Sequence, residues 1–180
     1  FNEFAGGATN PADVGGSVVG GSGVKASLVD LADGRASGRV RVATPKPATP
    51  EHLGPAVAGL LRPFGASGAI GCTLPAVVTN GVVRTASHID ESRIGVHATT
   101  WLSRATDRPC VVLNDADAAG LAEARYGAAR GHRGVVLMVT IGTGIGTAVI
   151  NDGVLVPNSA LGHVFVNRHL ADVWLSDATR

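Results

Sequence analysis

The residues best equipped for chemistry lie between Val111 and Ile150, VVLNDADAAGLAEARYGAARGHRGVVLMVTIGTGIGTAVI. A short apolar run ends at Asn114-Asp115 and a helix-forming stretch follows. Both polar side chains therefore fall at a strand-to-helix corner, where a side chain points into a cleft instead of a core. Further along, Thr140, Gly142, Thr143, Gly144 and Gly146 make a turn whose bare backbone N–H groups and hydroxyls suit a phosphate. A carboxylate near a phosphate cradle is the minimum equipment for moving a phosphoryl group onto a hydroxyl. Asp115 then reads as a general base accepting the proton of an attacking hydroxyl. It also reads as a plain helix cap or first-turn carboxylate, and the two roles are compatible. Asp117, elsewhere on the same first turn, is expected to be solvated.

A second glycine cluster, Gly20-Gly21-Ser22-Gly23 with Lys25 close behind, is a candidate for another phosphate loop. Neither cluster is a P-loop or a dinucleotide fingerprint: no Gly-Lys-Ser/Thr follows the first, and Gly142 to Gly146 lacks the GxGxxG spacing. Taken singly, each is most simply a hairpin turn. Two of similar type with Asn-Asp between them are more specific. His163, in Leu161-Gly162-His163, would alone be an ordinary partly buried histidine, and nearby Asn158 gives it a partner for a sugar-binding rim. The run Arg130 to Arg133 (RGHR) reads as a solvated loop that can meet a polyanion.

The elements that must position these residues follow from periodicity and turn chemistry. Residues 1–13 show no periodicity and read as a flexible lead-in. Val18-Val19, Val24 to Leu31 and Arg39 to Thr44 read as strands of an antiparallel meander, with Asp33-Gly34 at its second bend. Thr49, Pro50 and Glu51 start a helix towards Leu61, which Pro55 should kink or shorten. Gly68 to Leu74 is a buried strand, Asn80-Gly81 a hairpin turn, and Thr99 to Thr106 a helix. The helix opening at Asp115 has acids first and Arg125 and Arg130 late, matching its dipole, and Gly127 or Gly131 can end it. Asn151-Asp152-Gly153 is another hairpin turn. No long internal repeat is present, but the early and late halves share a β-turn-β unit with glycines at the bend.

Composition narrows the class. The 180 residues are 45% hydrophobic and 4% aromatic with 25 glycines, so a real core must be built from Val, Ala, Leu and Ile. A formal net charge of +1 argues against a dedicated nucleic-acid or membrane-surface partner. Cys72 and Cys110 are isolated, which indicates neither a disulfide framework nor a zinc knuckle, and no residue set is assigned to a metal. No apolar run approaches the roughly 18 residues of a membrane span, and no signal-peptide pattern is present, so a cytoplasmic location is expected.

Four segments carry a resemblance: TLPAVVTNGVVRTA (73–86), VVLNDADAAGLAEARYGAARG (111–131), VVLMVTIGTGIGTAVINDGVLVPN (135–158) and LGH (161–163). They closely resemble the ROK sugar kinases, in particular the branch of bacterial glucokinases that use polyphosphate. The match is collinear from about Gly20 to His163. It implies an α/β, actin-like ATPase (ribonuclease H-like) fold with an N-terminal lobe over 14–112 and the beginning of a second, incomplete lobe over 113–180. The substrate cleft is expected between the lobes, near Asp115. The implied activity is transfer of a phosphoryl group from polyphosphate or ATP to the 6-hydroxyl of glucose, with Mg2+, in a homodimer. Asp115 would be the catalytic base, Asn114 a sugar ligand, His163 part of the sugar rim, Gly142 to Gly146 the second phosphate loop and Gly20 to Gly23 the first. The zinc-binding cysteine cluster of many ROK proteins has no counterpart here, as in the polyphosphate branch. No helix-turn-helix pattern fits before residue 14, so a kinase is expected and not a repressor.

Departures from the family pattern are specific. Val18 stands where the family has an aspartate that helps hold magnesium. Ala160 and Phe165 stand where it has sugar-binding glutamates, and His88 replaces a sugar-binding asparagine. The family's adenosine-side glycine motif and closing helix find no match within the 180 residues. At roughly 1.5–3 kcal/mol per charged hydrogen bond, two lost carboxylates would cost about 3–6 kcal/mol, or roughly 10²–10⁴ in affinity or rate. The alternative reading is therefore a truncated or impaired homologue that at most binds sugar or phosphate.

Overall fold

The computed structural model describes residues 14–19, 23–64, 68–85, 91–141, 144–166 and 169–171. The chain divides into two compact units, Phe1–Asn114 and Asp115–Arg180.

The first unit runs β1 (Val14–Val19), β2 (Gly23–Val29), β3 (Ala36–Ala43), α1 (Pro50–Leu61), β4 (Ile70–Leu74), β5 (Val78–Thr79), β6 (Val82–Val83), α2 (Ala98–Thr106) and β7 (Cys110–Asn114). The first three strands form the expected antiparallel meander, and β4 and β7 add in parallel on the free edge of β1, giving the order β3-β2-β1-β4-β7. Alternation fixes the register. In β2, Val24 and Ala26 are buried while Lys25 is exposed, and in β4 Ile70, Cys72 and Leu74 are buried. A slip of one residue would turn these faces over, so the pairing is strongly specified.

Leu53, Val57, Leu60 and Leu61 form the apolar stripe of α1 and join Val19, Val24, Ile70, Leu74, Leu102 and Val112 in one core. Helix α1 starts at Pro50 as the sequence requires, yet it runs through Pro55 to Leu61. Its contact with α2 is close because Gly54 has no side chain. A Cβ there would lie 2.9 Å from Ala105 Cβ and 3.2 Å from Trp101 Nε1. Trp101 in turn donates its indole N–H to the Pro50 carbonyl at 3.1 Å. Arg93, 2% exposed, donates Nε–H to the Ala48 carbonyl at 2.7 Å and pins the proline-rich connector that precedes α1. The turn between β5 and β6 has Asn80 at φ 50° and Gly81 at φ 76°, the two positive angles that a tight hairpin demands and that Asn-Gly supplies.

The second unit comprises α3 (Asp115–Tyr126), β8 (Val135–Ile141), β9 (Ile145–Asn151), β10 (Val154–Val156), a 3-10 turn at Leu161–His163, and the short pair β11 (Phe165–Val166) and β12 (His169–Leu170). Strands β8, β9 and β10 form a second antiparallel meander in the order β10-β9-β8. Thus both units contain the shared β-turn-β device, each extended by a third strand. Helix α3 lies on one face of this sheet, where Gly120 faces Ala148 and Ile150. A Cβ at Gly120 would meet the Ala148 side chain, so the close approach needs glycine. Along β8, Val135, Leu137, Val139 and Ile141 remain exposed, as do Val154 and Val156 of β10.

Candidate active site

Strand β7 ends at Asn114 and α3 begins at Asp115, so the corner expected from the sequence is present. Asn114 donates its amide N–H to the Ala76 carbonyl at 3.1 Å, which ties the corner to the loop after β4. Asp115 is exposed, and its Oδ1 accepts the Ala116 N–H at 2.9 Å. A carboxylate that accepts a backbone N–H at the start of a helix keeps a fixed direction, which suits a base.

The first turn of α3 sits directly on the strands that flank the glycine turn. A Cβ at Gly146 would fall 2.9 Å from Ala116 Cβ and collide with the Thr140 hydroxyl. Thr140 donates that hydroxyl to the Gly146 carbonyl at 3.3 Å and is exposed. Gly144 is half-buried at the end of the turn. Gly142 and Thr143 lie outside the described residues, as do Gly20, Gly21 and Ser22 of the other candidate loop and His88. Of that first loop, Gly23 is buried at the start of β2 and Lys25 is exposed two residues on.

Asp117 corrects an expectation. Instead of being solvated it is 2% exposed, and its Oδ2 accepts the Asn158 N–H at 2.7 Å. A helix turn advances about 100° per residue, so two residues past Asp115 the helix faces its own sheet and the loop beyond β10. Burial pushes the Asp117 carboxyl above its ordinary value; the Asn158 N–H opposes the shift and the charge of Asp115 adds to it. Asn158 is thereby held in the left-handed region at φ 57°, a conformation asparagine tolerates better than most residues.

The same loop is fixed a second time. Thr147, 6% exposed on β9, accepts the Leu161 N–H on its hydroxyl at 2.7 Å, and Gly162 packs against the Ile145 carbonyl. His163 ends that short turn and is exposed. Ala160, where the resemblance led to the expectation of a glutamate, adopts φ 38°. The second unit thus seats Ala116 against Gly146, Asn158 against Asp117, and Leu161-Gly162 against Thr147 and Ile145. Sequence reasoning missed Asp117 and Thr147 as the pegs of this arrangement. No local signal distinguishes a buried first-turn acid or strand threonine from a solvated one, because both contacts are made across the fold.

No group of three or more His, Cys, Asp or Glu side chains able to hold a metal occurs among the described residues. Burial raises the Cys110 thiol above its ordinary value, which removes it as a nucleophile at neutral pH. No helix among the described residues is long and apolar enough to cross a membrane.

The ROK family model matches residues 14–171. This chain belongs to the ROK family. It is 48% identical over 150 residues to a polyphosphate glucokinase of Mycobacterium tuberculosis, an alignment covering 82% of this chain and 57% of that protein. The structure is similar to that of an inorganic polyphosphate/ATP-glucomannokinase from Arthrobacter sp. strain KM, with TM-score 0.89 and 44% identity over 94% of this chain and 70% of that one. A ROK glucokinase from Streptomyces griseus, solved with glucose and AMPPNP, matches with TM-score 0.73 and 30% identity over 85% of this chain and 50% of that one. The fold is accordingly the actin-like ATPase fold of ROK sugar kinases. The chain spans 57% of the length of the curated M. tuberculosis relative.

Proposed function

We propose that this chain carries the catalytic part of a sugar kinase that transfers a phosphoryl group from polyphosphate or ATP to the 6-hydroxyl of glucose. The observation that supports it most is the seating of Ala116, the residue after Asp115, against Gly146 on the strand that follows the glycine turn. Asp115 takes the proton of the sugar hydroxyl as its oxygen attacks the terminal phosphorus. The bond from phosphorus to the bridging oxygen breaks, and the shortened donor leaves with that oxygen and its charge. Asn114, Asn158 and His163 are proposed to orient the sugar. Gly20 to Gly23 with Lys25, and Thr140 with Gly142 to Gly144, are proposed to hold the donor through backbone N–H groups, hydroxyls and one cation.

Magnesium, as the family implies it, would neutralise donor charge. The residues here do not fit a protein-built metal site: position 18 is valine and no carboxylate cluster is present among the described residues. An impaired homologue that only binds sugar or phosphate has less support, because the chain keeps Asp115 and the glycines of both turns and is 48% identical over 150 residues to a polyphosphate glucokinase. The test is a phosphotransfer assay with glucose and either donor. Glucose 6-phosphate formed by the wild type and absent with Asp115→Asn supports the proposal; sugar binding without transfer under any donor rejects it.

A further inference from the structure

Strands β2 and β3 present a row of cations on the sheet face turned away from the core. Val24 and Ala26 of β2 are buried, and of their β3 partners Val40 packs partly against that core while Val42 is exposed at the sheet edge. Lys25, exposed, is directly opposite Arg41, also exposed, on the other face. Arg39, exposed and two residues from Arg41, continues the row along β3, roughly 6–7 Å further on. Neither strand contains an acidic residue (GVKASLV and ASGRVRVA), and among the described residues none of the three cations makes an ion pair. Like charges directly across a strand pair are destabilising unless an anion lies between them.

Arg41 has a further feature that scattered surface charge lacks. Its guanidinium lies over the bare backbone of Gly23, where a Cβ would be 2.6 Å from Nε and 3.1 Å from the terminal nitrogen. Gly23 immediately follows the glycine cluster 20–22. In register, position 18 of β1, Lys25 and Arg41 form one row across three strands. A guanidinium offers paired N–H donors suited to phosphate oxygens.

We infer that Arg41 and Arg39, running on from Lys25 and Gly23, form a track for the distal phosphates of a long linear polyphosphate. The inference rests on the proposed function for the donor's entry at the first glycine loop, and adds the site that prefers a polymeric donor over a nucleotide. A short donor would be held at the loop alone, whereas a long chain would run onto β3.

The experiment measures binding of long-chain polyphosphate, tripolyphosphate and ATP to the whole chain, as a function of salt. The wild type is compared with Arg39→Gln/Arg41→Gln, the charge-keeping Arg39→Lys/Arg41→Lys, and Arg104→Gln, which removes an exposed cation from α2. The expected result is about tenfold or greater weakening for long-chain polyphosphate with the glutamine pair. Its log–log salt slope should fall by roughly 0.7–0.9 per lost contact, as for other linear polyanions. Tripolyphosphate and ATP should change by less than about twofold, the lysine pair should recover most of the loss, and Arg104→Gln should match the wild type. Equal weakening for all three donors, no weakening, or no polyphosphate binding by the wild type would overturn the inference. Glucose phosphorylation from ATP would leave the kinase proposal standing in that last case, and polyphosphate binding without any transfer would leave the track and reject the kinase.

Discussion

Replacing Asp117 tests how the second unit holds its loop beside α3. Its carboxylate is buried and accepts the Asn158 N–H at 2.7 Å. Asp117→Ala leaves that N–H without its charged acceptor, at a cost of about 1.5–3 kcal/mol. Asp117→Asn keeps one acceptor oxygen but removes the ionisation, so it isolates the effect of charge. The folded-state value of Asp117 is raised, chiefly by burial, above an unfolded value of about 3.9. Between the two values the folded chain binds more protons than the unfolded one, and stability therefore falls as pH rises. The contribution is complete below the unfolded value and is lost as pH climbs through the folded value. Urea midpoints measured from pH 3.5 upward for wild type and Asp117→Asn should show the wild type losing ground relative to the variant across that window. Above the folded value the difference should be constant. Other carboxylates titrate in both proteins and cancel in the difference. A difference that is flat throughout, or that moves in the wild type's favour with rising pH, would refute the reasoning.

Three other outcomes are expected. Gly120→Ala places a methyl against Ala148 where α3 meets β9, and should cost about 1–3 kcal/mol in a urea titration; an unchanged midpoint would show that the helix can retreat. Ala160→Glu restores a carboxylate between Asn158 and His163 and should lower the KM for glucose by roughly 10- to 100-fold, one charged hydrogen bond's worth. Leu53→Ala, in the fully buried stripe of α1, should lower stability by about 2–5 kcal/mol, read from the denaturation midpoint of the whole chain.

Much of the fold was legible because local signals agreed with the global pairing. Period-two alternation located β2 and β3, though the strands observed are Gly23–Val29 and Ala36–Ala43 and not 24–31 and 39–44. Thr49-Pro50-Glu51 located α1 to the residue. Pro55 misled, since a proline six residues into a helix loses one backbone bond that the packing of Leu53, Val57 and Leu60 outweighs. The parallel addition of β4 and β7 to β1 was not legible, because no local pattern encodes which edge a buried strand will choose. The strand-to-helix position of Asn114 and Asp115 was readable from the polar pair that ends an apolar run. Asp117 was not, because a first-turn acid looks alike whether it faces water or accepts a backbone N–H from a loop 41 residues away. The Arg41–Gly23 contact was hidden for the same reason, being a pairing across strands.

The account turns most directly on proton transfer at Asp115. Single-turnover formation of glucose 6-phosphate from glucose and polyphosphate or ATP, by wild type and Asp115→Asn, measures it. Transfer by the wild type, slowed by roughly 10²–10⁴ in the variant with donor binding unchanged, is the predicted result. Equal rates in the two proteins, or no transfer by the wild type from either donor, would contradict it.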